Sequence, residues 1–457
     1  MRRILSNAAA LSALAVTAAC GLGADPDAAD APVNRVPELA SGQKVSIVLE
    51  SYNFGQAGPW TDTFNELVGA FQKAHPNIKV TAQKPQGNSA NPATDTIPSL
   101  QNQLATGNPP DVVQLGFSDL DFTVNRLKAV PLDDMVGREE VDANFDGAEH
   151  PYAPAVRTLG DWNGKTYGVP FVLSTPVLYF NTDLFRKAGL DPEKPPKTWD
   201  EVKAAAQAIK SKGGEDGVYV DCLTKAAKDW CFQALALSNG GRVISEDRTR
   251  LTFAEPPVAD TVRAMQDLVK SGLMPNRTQM QAVEAFSRGD LGMILETSAV
   301  QGTFLKGAAG EWELGAAAMP GFGDEPAQPT NSGAALYVFA KDPAKRRAAW
   351  ELIKFLTGEE AYTTISTKIG YLPLRTGLVD DPDGLKPWAE KNPLIRPNLE
   401  QLARMRPWTS MPGDHYLQVR DEMMSAVENA VFQGADVDST LKAAQDRLTG
   451  LLPAGRP

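Results

Sequence analysis

Cysteine and histidine are scarce in this sequence of 457 residues, which contains three of each. His75, His150 and His415 lie far apart, without the short spacings that metal-ligating residues share. The Gly-x-Ser-x-Gly motif that carries the nucleophile of many hydrolases is also absent. We therefore expect a protein that is not an enzyme, with no metal and no cofactor.

Basic residues are not in excess either. Lys and Arg number 45 against 56 Asp and Glu, which gives a formal net charge of −11. Proteins that bind nucleic acid present a basic surface to the phosphates, so this balance argues against a nucleic-acid partner. The apolar content of 42% and charged content of 22% are those of an ordinary globular protein. A neutral ligand is compatible with this composition.

The N-terminus has the pattern of an exported protein. Arg2 and Arg3 precede an Ala-rich apolar stretch, residues 4–19, which is too short to span a bilayer comfortably. Residues 16–20 resemble a bacterial lipobox, so we expect a signal peptide at 1–19 and lipidation of Cys20. Residues 20–41 form the predicted tether, rich in Ala, Asp and Pro. We expect an extracytoplasmic protein anchored to the outer face of the cytoplasmic membrane; a simply secreted protein is the alternative.

Two further cysteines, Cys222 and Cys231, stand close together in the sequence. In an oxidising compartment such a pair is compatible with a local disulfide, which stabilises a fold by about 2–3 kcal/mol. Two buried free thiols are the alternative. No histidine lies near either cysteine, which argues against a shared metal.

The first third of the mature chain predicts an α/β domain. Strands are expected at 44–49, 78–82 and 111–115, with helices between them near 64–71 and 97–105. This alternation is typical of a parallel sheet, in which ligands bind beyond the carboxyl ends of the strands. The residues that follow the first and third strands are therefore candidate ligand contacts: Tyr52, Asn53, Phe117, Ser118 and Asp119.

Four segments resemble the family of sugar- and glycerol-phosphate-type periplasmic binding proteins, the broad group of maltose-binding protein. They are VPFVLSTPVLYFNTDLF at 169–185, AFSRGDLGM at 285–293, the segment 334–356 with AWELIKFLT at 349–357, and GYLPLR at 370–375. Each is weak alone. Together with NPPDVV at 108–113 they follow the family's order over nearly all of the mature chain.

The resemblance implies a type II periplasmic-binding-protein fold, in which two discontinuous α/β lobes are joined by hinge strands. The first lobe would contain 42–178 and 300–357, and the second 183–296 and 362–457. Such a protein captures its ligand by hinge closure, and no bond is broken. It implies a sugar-like small molecule as ligand and the permease subunits of an ABC importer as partners. We expect a monomer.

The resemblance also implies ligand contacts near the crossings between the lobes. It points to Ser174 at the first crossing, Ser298 at the end of a second-lobe strand, Ser332 and Gly333 before a first-lobe strand, and Tyr371 in the hinge. Near the C-terminus it points to Asp414 and His415, although Asp414 is equally suited to cap the following helix. Trp230, beside Cys231 on a predicted helix, is a further candidate; core packing is its alternative role.

Three other functions remain open at this point. The glycerol-phosphate branch of the family would make the ligand glycerol-3-phosphate or a glycerophosphodiester, but MPGD stands at 411–414, where that branch carries an arginine pattern. A secreted glycoside hydrolase would need a pair of carboxylates, which an acidic chain can supply. A binding module for adhesion or signalling would use the same cleft without an importer. We favour a neutral mono- or oligosaccharide as the ligand.

Overall fold

The computed structural model describes residues 35–56, 59–89, 91–147 and 149–453. The predicted signal peptide, the predicted lipidation at Cys20 and the tether up to residue 34 lie outside the described residues. The described strands are β1 Val45–Glu50, β2 Ile78–Gln83, β3 Val112–Gly116, β4 Asp161–Trp162, β5 Lys165–Thr166, β6 Gly168–Ser174, β7 Pro176–Asn181, β8 Asp216–Val220, β9 Leu291–Thr297, β10 Leu314–Ala318 and β11 Ser332–Val338.

The α-helices surround two sheets that these strands form. The described helices are α1 Trp60–Ala74, α2 Thr96–Ala105, α3 Leu120–Asn125, α4 Leu132–Met135, α5 Arg138–Asp146, α6 Pro154–Arg157, α7 Thr182–Ala188, α8 Trp199–Ala208, α9 Trp230–Ser238, α10 Pro256–Lys270, α11 Gln279–Ser287, α12 Gln301–Ala308, α13 Pro343–Leu356, α14 Glu359–Lys368, α15 Lys386–Lys391, α16 Arg396–Gln401, α17 Tyr416–Gln433 and α18 Val437–Thr449.

The first sheet has five strands in the order β2-β1-β3-β11-β6. Strand β1 runs parallel to β2 and β3, as the sequence predicts, and β11 runs antiparallel to β3 and β6. In α1 the apolar residues recur at helical spacing and are all buried: Phe64, Leu67, Val68 and Phe71. The apolar face of α1 therefore belongs to the same hydrophobic cluster as the first sheet.

The second sheet has four strands in the order β10-β7-β9-β8 and belongs to a separate hydrophobic cluster. Strand β7 is antiparallel to both neighbours, β9 and β10, and β8 is parallel to β9. Helix α8 begins with the expected capping box: Glu201 N donates to Thr198 Oγ1 and Thr198 N donates to Glu201 Oε2, both at 3.2 Å. The two sheets with their clusters form the two lobes.

The chain crosses between the lobes at places that differ in part from the predicted ones. The first crossing lies where β6 leads through Thr175 into β7, as expected. Residues 301–318, expected in the first lobe, belong to the second, because β10 pairs with β7 and Phe304 of α12 packs in the second cluster. Between Leu173 and Ala334, all of which the structure describes, Ala299 is the only buried residue that belongs to the first cluster. The crossing to the first sheet follows β10.

The expected boundary at residue 362 is also displaced. Tyr362, Tyr371 and Ile395 pack in the first cluster, and the Tyr362 hydroxyl donates to Pro170 O at 3.0 Å. The second cluster resumes at Trp408 and includes α17 and α18. The first lobe is therefore larger than the sequence suggests, and the last crossing lies near residue 406. In the part of the chain that the structure describes, no helix combines the length and apolar character needed to cross a membrane.

Candidate functional site

A cleft with a volume of about 990 Å³ lies between the two lobes. Its walls collect the carboxyl ends of strands from both sheets: Tyr52 follows β1, Gly116 ends β3 and Ser174 ends β6, while Asp221 follows β8 and Thr297 ends β9. In α/β folds ligands bind in the crevice beyond the carboxyl ends of the strands. The volume suits a ligand of mono- to oligosaccharide size.

The first lobe supplies an aromatic wall, which we define as Tyr52, Trp60 and Tyr371. Ser51 ends the extended segment and its Oγ accepts a bond from Asn53 N at 3.1 Å, which fixes the turn that presents Tyr52. Burial raises the pKa of Tyr371 to about 12 and raises that of Tyr52 well above its ordinary value. Both phenols therefore remain neutral hydrogen-bonding groups at physiological pH.

Backbone atoms of the first lobe come close to the cleft at Gly333. Its φ of +118° favours glycine, and a Cβ there would lie 2.0 Å from Val172 O. No side chain fits at this position, so Ser332 and Gly333 expose the start of β11 to the cavity. Ser174 lies beside them and accepts a bond from Thr297 Oγ1 of the second lobe at 2.6 Å. The two lobes are thus joined at the floor of the cleft.

The second lobe contributes two tryptophans, Trp230 and Trp408. Trp408 Nε1 donates to Asp229 Oδ1 at 2.9 Å, and Gln233 Nε2 donates to Asp229 Oδ2 at 2.7 Å. This network fixes a residue from the C-terminal segment against α9, whose first residue is Trp230. The indole of Trp408 therefore reaches the cleft although it stands far from the other lining residues in the sequence.

A disulfide bond joins Cys222 to Cys231, with Cα atoms 5.0 Å apart. The two cysteines directly follow Asp221 and Trp230, both of which line the cleft. The loop that the bond closes also presents Lys228, whose Nζ donates to Ala93 O of the first lobe at 3.2 Å. Burial first, and then Arg420, lower the pKa of Lys228 to about 8. We call residues 222–231 the disulfide loop.

An acidic pair, Asp221 and Glu296, lines the cleft beside the disulfide loop. Each side chain is 1% exposed, and Gln279 Nε2 lies 3.0 Å from Asp221 Oδ2 and 3.3 Å from Glu296 Oε2. Burial raises the pKa of Glu296 to about 7. Burial, followed by the charge of Glu296, raises the pKa of Asp221 well above its ordinary value. The pair therefore holds a proton near neutral pH.

The rim of the cleft is closed by polar contacts between the lobes. Arg248 of the second lobe lies 2.6 Å from Asp121 of the first. Tyr416 OH donates to Asp119 Oδ1 at 3.0 Å, and Arg126 forms an ion pair with Asp414. These contacts involve residues outside the cavity lining and join the two lobes directly.

The structure gathers about half of the predicted contacts in the cleft. Those that line it are Tyr52, Ser174, Trp230, Ser332, Gly333 and Tyr371; those that do not are Asn53, Phe117, Ser118, Asp119, Ser298, Asp414 and His415.

Seven of the predicted residues lie away from the cavity, and four of these are buried inside the lobes. Asn53 Nδ2 donates to Gln114 Oε1 at 2.9 Å inside the first lobe, and Phe117 packs in that lobe's core. Ser118 and Ser298 are buried away from the lining.

The remaining three of these residues lie on the rim or at the surface. Asp119 accepts the Tyr416 hydroxyl, Asp414 pairs with Arg126, and His415 is exposed before α17. Asp414 does not cap that helix, whose N-cap is His415, with no side-chain cap bond. These residues support closure or packing and do not face the cavity.

Several lining residues are absent from the sequence-based set. They are Trp60, Asp221, Gln279, Glu296 and Trp408. Asp221 and Glu296 obey the same rule that singled out Tyr52, since Asp221 follows β8 and Glu296 lies at the carboxyl end of β9. Applying that rule to the second sheet would have found them. Among the described residues, no group of three or more His, Cys, Asp or Glu side chains is arranged to hold a metal ion.

Comparison with known proteins agrees with this architecture. The sequence profile of the bacterial extracellular solute-binding proteins matches residues 66–397. The chain belongs to this family. Among curated relatives, the sn-glycerol-3-phosphate-binding periplasmic protein UgpB of Pectobacterium atrosepticum is 28% identical over 326 residues, covering 68% of this chain and 70% of that one.

Solved structures of solute-binding proteins share the fold of this family member. UgpB from Mycobacterium tuberculosis, in complex with glycerophosphocholine, has a TM-score of 0.76 at 24% identity and covers 89% of this chain and 98% of its own. The cyclic α-maltosyl-1,6-maltose binding protein of Arthrobacter globiformis has a TM-score of 0.71 at 24% identity, with coverage of 90% and 100%. The expected type II periplasmic-binding-protein fold is confirmed.

Proposed function

We propose that this solute-binding protein captures a neutral carbohydrate, a mono- or oligosaccharide, and presents it to the permease of an ABC importer. The observation that carries the proposal is the composition of the cleft. Rings from both lobes, among them Tyr52, Tyr371 and Trp230, face a cavity of about 990 Å³ together with hydroxyl, amide and carboxyl groups. A sugar offers apolar C–H faces for the rings and hydroxyls for the polar groups.

The proposed ligand contacts are the predicted residues that line the cavity. Tyr52 and Tyr371 would stack on one face of the sugar and Trp230 on another, because they belong to opposite lobes. Ser174, Ser332 and the backbone at Gly333 would bond hydroxyls at the floor. A ligand that touches both lobes favours the closed arrangement by its differential affinity, which is the signal that a permease reads. Delivery to a permease requires that the protein bind and release the ligand, and no chemical conversion of the ligand is needed.

Export and anchoring complete the proposal. The family name places its members outside the cytoplasm. We propose that the mature chain begins at Cys20, that two acyl chains on this cysteine hold it at the outer face of the cytoplasmic membrane, and that it works as a monomer. Metabolic labelling with an alkyne fatty acid should mark the wild-type protein and leave Cys20→Ser unlabelled.

The second candidate ligand is glycerol-3-phosphate or a glycerophosphodiester. The relatives from Pectobacterium and Mycobacterium favour it, since one is named for glycerol-3-phosphate and the other was solved with glycerophosphocholine. The charged residues of this cleft favour it less. Its lining holds three carboxyl groups, Asp221, Glu284 and Glu296, against one amine, Lys228, and no arginine among the described residues. A phosphate site usually has cationic or backbone N–H donors.

A thermal-shift screen followed by calorimetry tests the proposal. The purified mature protein is heated with neutral sugars, oligosaccharides, sn-glycerol-3-phosphate and glycerophosphocholine, because a ligand that binds the folded form raises Tm. We expect a neutral carbohydrate to raise Tm and to bind with a stoichiometry of one. Stabilisation by the phosphorylated ligands alone would favour the second candidate. Steady release of product from an oligosaccharide would reveal an enzyme and contradict the proposal.

A further inference from the structure

The acidic pair is buried without a cationic partner. Neither Asp221 nor Glu296 forms an ion pair with a Lys, Arg or His of the described chain; the two carboxyl groups hydrogen-bond each other, and the amide of Gln279 donates to both. Buried carboxylates usually have a cation, a metal or several donors. Asp221 Oδ1 accepts no bond from an N–H or hydroxyl group of the described residues, and Asp221 lies in the cavity wall with 1% of its surface exposed. The cavity wall therefore holds an acidic pair that no cation neutralises.

Two neighbouring strands of the second sheet position the acidic pair. Asp221 directly follows β8 and Glu296 is the sixth residue of β9, and these parallel strands are neighbours in the second sheet. The disulfide from Cys222 fixes the backbone on one side of Asp221, and Thr297 N donates to Glu296 Oε1 at 2.8 Å on the other side of the pair. The side chains are therefore held in the cavity wall with little freedom to turn towards bulk water.

Nearby charged and titratable groups are engaged with other partners. The Tyr179 hydroxyl donates to Gln301 Oε1, the Tyr219 hydroxyl donates to Arg277 O, and Arg277 pairs with Asp216. Glu428 accepts a bond from Lys225 N, Asp229 accepts one from Trp408 Nε1, and Lys228 donates to Ala93 O. Arg420 and Lys225 both pair with Asp421, and Glu284 pairs with Arg288. No one of these contacts neutralises the acidic pair.

We propose that Asp221 and Glu296, with Gln279 between them, form a specificity subsite that binds uncharged hydroxyl groups of the ligand and rejects anionic ones. This inference rests on the proposed function and identifies which residues select the ligand class. A carboxyl pair that holds one proton offers both a donor and acceptors, which matches hydroxyls on adjacent carbons. A phosphate or carboxylate would meet like charge in a site that water does not screen.

The pH dependence of binding follows from the same pair. Burial raises the pKa of Glu296 to about 7 in this structure, so the pair gives up the proton it holds as pH rises above about 7. That proton supplies the donor to a ligand hydroxyl, so affinity for a neutral sugar is complete below about pH 7 and falls as pH rises above it. The limit is about tenfold per pH unit for one proton. A cationic ligand would bind more tightly over the same range.

The test compares matched ligands and matched variants by calorimetry at pH 5.5, 7 and 8.5. The ligands are the neutral sugar that raises Tm most in the screen, its phosphate ester, and sn-glycerol-3-phosphate. The variants are Asp221→Asn, Glu296→Gln and, as control, Glu284→Gln, which removes a carboxylate from the same cleft that is exposed and paired with Arg288. Circular dichroism and Tm establish that each variant is folded.

We expect the wild type to bind the neutral sugar at least tenfold more tightly than its phosphate ester. Asp221→Asn should weaken binding at least tenfold, Glu296→Gln should remove the decline above pH 7, and Glu284→Gln should change neither. A neutral sugar bound equally well by wild type and by both pair variants would overturn the subsite and leave the carbohydrate proposal intact. The subsite would also be overturned if the phosphate ester bound more tightly than the neutral sugar, or if affinity for the neutral sugar rose with pH. If no neutral ligand bound at all, both the subsite and the carbohydrate proposal would be overturned.

Discussion

The two walls of the cleft are built in different ways. The first-lobe wall consists of three aromatic rings, Tyr52, Trp60 and Tyr371, which are neutral at every physiological pH. The second-lobe wall combines Trp230 with an acidic pair and the disulfide loop, so it carries charge, titrates near neutrality and is covalently constrained. We propose that rings of both walls stack on the sugar and that only the second-lobe wall selects the ligand by its charge.

Removing a ring from either wall should have the largest effect on binding. Tyr371→Ala and Trp230→Ala are each expected to lower affinity about 100-fold, equivalent to about 2.7 kcal/mol, because a stacked face of the sugar loses its contact. Calorimetry with the best ligand from the screen measures the change. Tyr371→Phe is the control and should retain most of the affinity, since it keeps the ring. Wild-type affinity in Tyr371→Ala would show that the first-lobe wall does not touch the ligand.

Breaking the disulfide tests the constraint on the second wall. The double change Cys222→Ser and Cys231→Ser should lower the free energy of unfolding by about 2–3 kcal/mol, because the unfolded chain gains the freedom of the loop. It should also weaken ligand binding, since Asp221 and Trp230 directly precede the two cysteines. Urea unfolding and calorimetry measure the two effects. Loss of stability with unchanged affinity would limit the disulfide to a structural role.

The charge of the second wall should also affect stability without a ligand. The pKa of Glu296 is raised from 4.5 to about 7 in the folded protein, so its contribution to stability is complete below pH 4.5 and is lost as pH rises through about 7. Glu296→Gln should therefore raise the free energy of unfolding at pH 8 by about 1–2 kcal/mol relative to wild type, with little change at pH 4.5. Equal effects at both pH values would show that the carboxyl does not titrate differently on folding.

The smallest expected effect comes from the rim that joins the walls. Arg248→Ala removes the contact with Asp121, whose side chain is 9% exposed and would keep only the amide of Asn125 as a side-chain partner among the described residues. We expect about a fivefold loss of affinity through a less stable closed state, or about 1 kcal/mol. Calorimetry measures it, and Arg250→Ala, a more exposed arginine of the same segment, is the control. Equal losses in both variants would show that the rim contact is not specific to closure.

The fold of the first lobe was largely predictable from sequence. Alternation in 44–49 and 78–82 and the apolar stripe of α1 depend on local spacing, and the structure reproduces them. The division of the chain between the lobes was less accessible. Strand β10, with the sequence LGAAA, has a weak strand signal, and only its pairing with β7 assigns it to the second lobe. Likewise, nothing local in the sequence shows that Tyr362 packs in the first cluster.

The residues of the candidate site were likewise predictable only in part. Tyr52, Ser174 and Tyr371 could be predicted because they follow strands or lie in segments that resemble the family. The pairing of Asp221 with Glu296 could not, since 56 acidic residues offer many pairs and only the order of β8 and β9 brings these two together. Asp414 was misplaced for a similar reason, because its partner Arg126 lies 288 residues away in the chain.

Small-angle X-ray scattering with and without a saturating neutral sugar shows whether the two lobes close on the ligand. If the two walls clamp the ligand between them, the radius of gyration of the wild type should fall on binding. If the wild type is already closed without ligand, its radius should stay constant, and the Arg248→Ala variant should be open without ligand and close when the sugar binds. A saturated protein whose scattering matches that of the ligand-free form in both wild type and Arg248→Ala would contradict capture by closure of the lobes.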